Sequence, residues 1–248
     1  MSLSCSRWDL ALNIPFVATW NGTPVSCGSG DPALSDMRFY ISNPQVVAAD
    51  GEARDVRFAV EHAWQNDAVA LVDLEDGTGA CQNGTKEVVA EVIGVVRAGE
   101  YRTLRFTVGV PFQLNHANPL TASQPLDDPD MHWHWRSGYK FLRAGVRTNA
   151  DSFWIHAGSA GCEGTVGNIT GCRFPNRIVV ELDGFVPGES TVAVDLARLA
   201  TGTDLADGEP TDCSSGPAEE SCVEPFRALG IDFATGLPVG EQSVFSLQ

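Results

Sequence analysis

The segment Tyr101-Arg102-Thr103-Leu104-Arg105-Phe106-Thr107-Val108-Gly109-Val110 decides the fold class. In an extended chain successive side chains point to opposite faces, so Leu104, Phe106, Val108 and Val110 share one face while Thr103, Arg105 and Thr107 share the other. That is the pattern of a half-buried strand. Similar runs occupy residues 9–20, 37–47, 69–74, 87–96, 139–147, 178–182, 191–196 and 243–247. Between them lie dipeptides suited to tight turns, such as Asn21-Gly22, Asp50-Gly51, Asp76-Gly77 and Asp183-Gly184. Helix is scarce. Residues 195–201 read as a short turn, and 218–229 as a helix with Cys222, Phe226 and Leu229 on one face, stopped by Gly230. The expected architecture is all-β: an antiparallel β-sandwich or distorted barrel, with one or two short helices and long disulfide-tied loops. A single domain spans 1–248, with 1–6 as a terminal segment and the Gly/Asp/Ser-rich stretch 201–217 as the most flexible part.

The chain has 16 Lys and Arg against 32 Asp and Glu, a formal net charge of −16. Nonspecific nucleic-acid binding needs a basic face that neutralises phosphates, so nucleic acid is excluded as a first reading, and anionic membrane surfaces are disfavoured. The apolar fraction of 43% is enough to bury a core, so the acidity does not imply disorder. No apolar run is long enough to span a bilayer as a helix. The opening Met1-Ser2-Leu3-Ser4 lacks the charged and apolar regions of a signal peptide and reads as the start of a mature or trimmed chain.

Seven cysteines is a high, odd count. Cys27, Cys81, Cys162, Cys172, Cys213 and Cys222 sit in loop-like surroundings without the tight C-x2-C pairs of structural zinc, which suits disulfides in an oxidising compartment such as the periplasm or cell surface. Six cysteines allow fifteen pairings. Proximity along the chain favours Cys162 with Cys172 and Cys213 with Cys222, leaving Cys27 with Cys81. Cys5 is then unpaired, either a free terminal thiol or a lipid-anchored cysteine.

Chemistry concentrates around few residues. Of the five histidines, His132 and His134 flank Trp133 in Met131-His132-Trp133-His134-Trp135. On a regular strand the two imidazoles would share a face and could chelate a transition metal, with copper, zinc, iron and nickel all compatible. His116 follows the 101–110 strand in a loop, and His156 stands at a strand end before a Gly/Ser loop, where a buried, backbone-bonded histidine is the alternative to a ligand. His62 reads as structural. The acidic groups Asp73, Glu75 and Asp76, and Asp127, Asp128 and Asp130, match no EF-hand and read as solvated turn residues. Gly158-Ser159-Ala160-Gly161 lacks the nucleophile elbow G-x-S-x-G, so serine hydrolysis is set aside.

Several long segments together resemble the copper-binding MbnP-like proteins, also described as the four-Cys partner of the metallo-mystery pair. They are residues 37–43, 73–81, 109–116, 131–141, 156–162 and 172–177, and the tail from Cys213 through Cys222 to Gly230. The resemblance implies a periplasmic or surface copper protein, encoded beside a MauG/MbnH-like di-heme cytochrome c peroxidase, in settings that include methanobactin copper uptake. In that family the partner oxidises the first Trp of a W-x-W motif to kynurenine, and copper binding depends on the change. Carried onto this chain, the modified residue is Trp133 and the second Trp is Trp135. The implied ligands are His132 first, as the imidazole adjoining the modified Trp133, then His116 and His156, and His134 competes. Opening the indole yields an aromatic amine and a ketone, and neutral nitrogen donors favour Cu(I). Trp135 and Tyr139 are candidate electron relays. Coordination by both His132 and Trp133 requires a bulge or loop at 131–135, because alternation on a regular strand would point them apart.

On this reading the protein is no enzyme but a copper carrier and the substrate of a redox partner. Two rivals are an extracellular sandwich whose Trp residues form a carbohydrate platform, and a copper redox enzyme with an open coordination position.

Overall fold

The computed structural model describes residues 9–248 except Ser29, Glu61, Asp207, Glu209 and Pro210, so Cys5 and the 1–6 segment lie outside the described residues. In chain order the strands are β1 (Asp9–Trp20), β2 (Thr23–Pro24), β3 (Ala33–Ala48), β4 (Ala53–Asp55), β5 (Arg57–Phe58), β6 (Val69–Asp73), β7 (Glu91–Arg97), β8 (Tyr101–Val108), β9 (His132–His134) and β10 (Gly138–Arg147). They continue with β11 (Ser152–Gly158), β12 (Ala160–Thr165), β13 (Asn168–Phe174), β14 (Ile178–Asp183), β15 (Val192–Asp195), β16 (Thr211–Cys213), β17 (Ile231–Asp232), β18 (Leu237–Pro238) and β19 (Phe245–Leu247). Three short α-helices, α1 (Phe112–Asn115), α2 (Leu196–Leu199) and α3 (Val223–Ala228), complete it with a few single 3-10 turns.

Two sheets form a sandwich. One runs β19-β15-β1-β7-β5 with β2 on β1, and the other β14-β8-β3-β10-β11-β16 with β4 and β6 on β3 and β9 on β10. Phenylalanines lock them face to face. Phe16 of the first sheet meets Phe39 and Phe106 of the second edge-on at 5.5 and 6.0 Å, and Phe245 meets the same two rings at 5.7 and 5.8 Å. Each such pair contributes about 0.5–1.5 kcal/mol beyond its area burial.

The strand β3 is buried on both faces through residues 33–42, because each face has its own cover. Met37, Phe39 and Ile41 point into the inter-sheet core. Tyr40 points the other way into a second apolar cluster with Val69, Leu71, Val110, Leu126, Met131, Tyr139 and Phe141, roofed by the long connection between β8 and β10. That roof carries the His/Trp motif.

The sequence pattern needs four corrections. Val110 does not share a face with Leu104, Phe106 and Val108: the strand stops at Val108, Gly109 takes φ +146, and Val110 falls into the second cluster. A Cβ on Gly109 would also press on the Phe141 ring at 3.2 Å. The sheets are not purely antiparallel, since β1 with β15 and β11 with β16 are parallel pairs. The Gly/Ser stretch after His156 is not a loop but the start of the β12-β13 hairpin. Finally, Asp73 and Glu75 are not solvated; both are fully buried.

Their burial has a clear cause. Asp73 accepts from the Glu75 N–H and the Thr85 hydroxyl, and Glu75 accepts from the Gly77 and Thr85 N–H groups, so the carboxylates satisfy a covered turn. Arg38, itself fully buried, supplies the counter-charge. It donates to Asp36 at 2.8 and 3.1 Å and lies 4.0 Å from Glu75 and 3.8 Å from both Asp128 and Asp130. Asp127 and Asp130 do face solvent, as expected, while Asp128 is half-buried.

The three disulfides are Cys27–Cys81, Cys162–Cys172 and Cys213–Cys222, the pairing that chain proximity favours. Both expected helical segments exist in shortened form, and Cys222, Phe226 and Leu229 are buried on one face. Part of 201–217 is held, with β16 pairing to β11 up to Cys213. No helix among the described residues is long and apolar enough to cross a membrane.

Candidate metal centre

The motif 131–135 is a short strand with an irregularity. His134 faces Gly138 and His132 faces Tyr139, so two steps on β9 correspond to one on β10 and Trp133 is the extra residue. The departure from a regular strand required for His132 and Trp133 to act together is therefore present. The bulge aims Trp133 across β10 toward β11. Its indole packs edge-on against the His156 imidazole, with centroids 6.2 Å apart and planes at 85°. Gly158 makes the approach feasible: a Cβ there would lie 3.3 Å from the indole and 2.8 Å from the Tyr139 carbonyl oxygen.

His156 is half-buried, and its Nε2 is buried without a hydrogen-bond partner. Burial first, and then the positive field of Lys140, Arg143 and Arg38, holds its pKa down to about 4. At neutral pH it is an uncharged imidazole, with one of its two ring nitrogens carrying an electron pair. That is the state a transition metal requires.

His132 turns its ring onto Tyr139 at 5.2 Å, and burial, followed by the nearby His134 and Lys140 charges, lowers its pKa. His134 is exposed beside Trp135, ring centroids 5.5 Å apart, and accepts from the Arg136 N–H. Trp135 is half-buried under the Arg136 guanidinium, 5.0 Å from its ring centroid. Tyr139 is buried, stacked edge-on with Tyr40 at 5.7 Å, and donates its hydroxyl to the Leu126 carbonyl at 2.5 Å. Burial, then Asp127 and Asp128, raises its phenol to about 12.

His116 is not in a plain loop but caps the single helical turn α1. It packs on Phe112 at 4.8 Å, and its Nε2 lies 3.4 Å from the Cys172 sulfur. Burial lowers its pKa, partly opposed by the Trp135 backbone carbonyl. Among the described residues, no three His, Cys, Asp or Glu ligand atoms lying within 4.8 Å of one another include His132, His134 or His156. The fold thus unites Trp133 with His156, while His132 and His116 stand against other partners. His62 is exposed and lines a cavity with Trp64 and Glu87.

Three participants lie within the segments that carry the resemblance but received no role from the sequence. Gly158 admits the indole, Asn115 anchors the β9-β10 turn by donating to the Ser137 carbonyl at 3.0 Å and accepting from the Tyr139 N–H at 2.8 Å, and Arg38 charges the site from below. Their places in the quoted segments 156–162, 109–116 and 37–43 were the signal that could have found them.

Residues 9–215 match the MbnP family. The structure superimposes on that of MbnP from Methylosinus trichosporium with a TM-score of 0.81 and 26% sequence identity, covering 96% of this chain and 98% of that one. No curated protein matches the sequence. With the family spanning most of the chain and the sandwich shared end to end, this protein belongs to the MbnP family.

Proposed function

We propose that this chain is an extracytoplasmic copper-binding protein of copper homeostasis or acquisition, and that it takes up Cu(I) after a di-heme peroxidase of the MauG/MbnH type converts Trp133 to kynurenine. The observation that carries the reading is the contact between Trp133 and His156, whose buried Nε2 is unpartnered and whose imidazole is neutral at physiological pH. Indole offers only an N–H donor at that position; kynurenine offers an amine and a ketone. The balanced conversion consumes two peroxide molecules to split the C2–C3 bond into N-formylkynurenine and two waters, and then one water to release formate. On this proposal His156, in contact with Trp133, takes the first place that the resemblance gives to His132, with His132 and His116 next and His134 as competitor. Copper bound there would draw electron density from neutral nitrogens, the donor set suited to a soft or borderline ion. Trp135, half-buried under Arg136, is the surface-side relay for oxidation by a docked partner, and the buried Tyr139 lies on the inner side. On this proposal the chain performs no turnover of its own and works in the periplasm or at the cell surface, where three disulfides persist.

The test is co-production with a di-heme partner, followed by tandem mass fragmentation and Cu(I) titration. The expected result is kynurenine at position 133 and stoichiometric copper in the modified form alone. Unaltered Trp133 in copper-loaded protein rejects the proposal.

A further inference from the structure

The Cys162–Cys172 disulfide sits against His116 in a way the copper reading does not use. Cys162 and Cys172 are directly opposed in the β12-β13 hairpin, flanked by the ladder pairs Ala160 with Phe174 and Glu163 with Gly171. The hairpin forms its own two-stranded sheet, so opening the bond breaks no strand of the sandwich. The two sulfurs and one His116 ring nitrogen all lie within 4.8 Å of one another.

The ring is also presented in the ligating form. Asn115 is held in one orientation, because its oxygen accepts from the Tyr139 N–H and its amide nitrogen donates to the Ser137 carbonyl. That same amide nitrogen lies 3.2 Å from His116 Nε2, which must therefore be the acceptor nitrogen of a neutral imidazole. The same nitrogen lies 3.4 Å from the Cys172 sulfur. The thiol side is reachable, since Cys172 is half-buried and borders a 290 Å³ cavity with Phe112, Asn115 and Thr170.

We propose that this disulfide masks a second metal site, and that reduction by a dithiol uncovers a Cys2His set formed by Cys162, Cys172 and His116, suited to Cu(I) or Zn(II). The dithiol delivers two electrons and two protons to the S–S bond and closes to its own disulfide. The metal then displaces both thiol protons and takes the imidazole electron pair. Two thiolates and an imidazole select soft or borderline ions over calcium or magnesium. The site does not involve Trp133; only His116 is shared with the copper reading.

The experiment uses the full chain carrying Cys5→Ser, treated with graded dithiol, with thiol alkylation mapping which bonds open and circular dichroism following the fold. Cobalt(II) is then added after removal of the reductant. The expected result is one equivalent bound with a thiolate-to-cobalt charge-transfer band, absent in unreduced protein and in the Cys162→Ser/Cys172→Ser variant. His116→Ala should weaken binding by at least about tenfold, since even an outer-shell partner is worth about 10–100-fold. Failure of the bond to open without loss of the fold, absence of the band, or its survival in the double serine variant would each overturn the proposal.

Discussion

Trp133 and His156 lie on different strands of one sheet, 23 residues apart in sequence, yet their rings meet edge-on at 6.2 Å. The contact makes His156 the imidazole most exposed to any chemical change in Trp133. In kynurenine-bearing protein, His156→Ala is expected to lower Cu(I) affinity by at least about tenfold, while His134→Ala, at an exposed position, should change it little. Competition titration with a Cu(I) chelator measures both, and equal losses would remove the ranking.

Gly158 holds the two rings together by having no side chain. A methyl group there would press on the Tyr139 carbonyl oxygen at 2.8 Å and the indole at 3.3 Å. Gly158→Ala should therefore displace Trp133 and cost about 1–3 kcal/mol as an overpacking change. Denaturant unfolding with tryptophan emission reports both effects.

Arg38 is the only counter-charge in contact with Asp36, Glu75, Asp128 and Asp130 apart from Arg143 on Asp36, among the described ion pairs. Arg38→Met keeps much of the volume but leaves buried carboxylates uncompensated. The expected loss is about 3–5 kcal/mol, read from the urea midpoint.

Asp73 should impose a pH slope. Burial, then the neighbouring Glu75 charge, lifts it to about 7 in the folded protein, whereas an unfolded carboxyl titrates near 4. Between those values the folded chain holds a proton that the unfolded chain has lost. Stability is then fully present below about pH 4 and declines as pH rises toward 7, by at most about 1.4 kcal/mol per pH unit. Asp73→Asn should flatten this decline, gaining on the native protein between about pH 5 and pH 8. Parallel pH profiles for the two would contradict the assignment.

The disulfides should differ in weight. Cys27–Cys81 spans 54 residues and Cys213–Cys222 spans 9. Loop-closure entropy gives about 4 kcal/mol for the first and about 3 kcal/mol for the second. Paired Cys→Ala variants, compared by chemical unfolding, test the order.

Much of this was legible from residue order because it depends on local periodicity. Alternation at 101–108 marks β8, and Asn21-Gly22, with φ of 49° and 77°, closes β1 on β2 as a tight turn. Amphipathic spacing placed Cys222, Phe226 and Leu229 inward, and cysteine proximity favoured the pairing seen. The buried acids are the failure with the longest reach along the chain. Asp73 and Glu75 look like turn acids, and they are, but both are fully buried, and Arg38, from a distant part of the chain, lies between Glu75 and the acids Asp128 and Asp130.

By itself, the order of residues determined an all-β chain with a metal-capable His/Trp motif, since period-two patterning and donor chemistry are properties of short segments. Which donors could act together was decided only by the tertiary structure. The extra residue on β9 and the bare backbone of Gly158 bring Trp133 to His156, while the hairpin carries its disulfide to His116. Those meetings depend on strand register across the sheet, which no local stretch encodes.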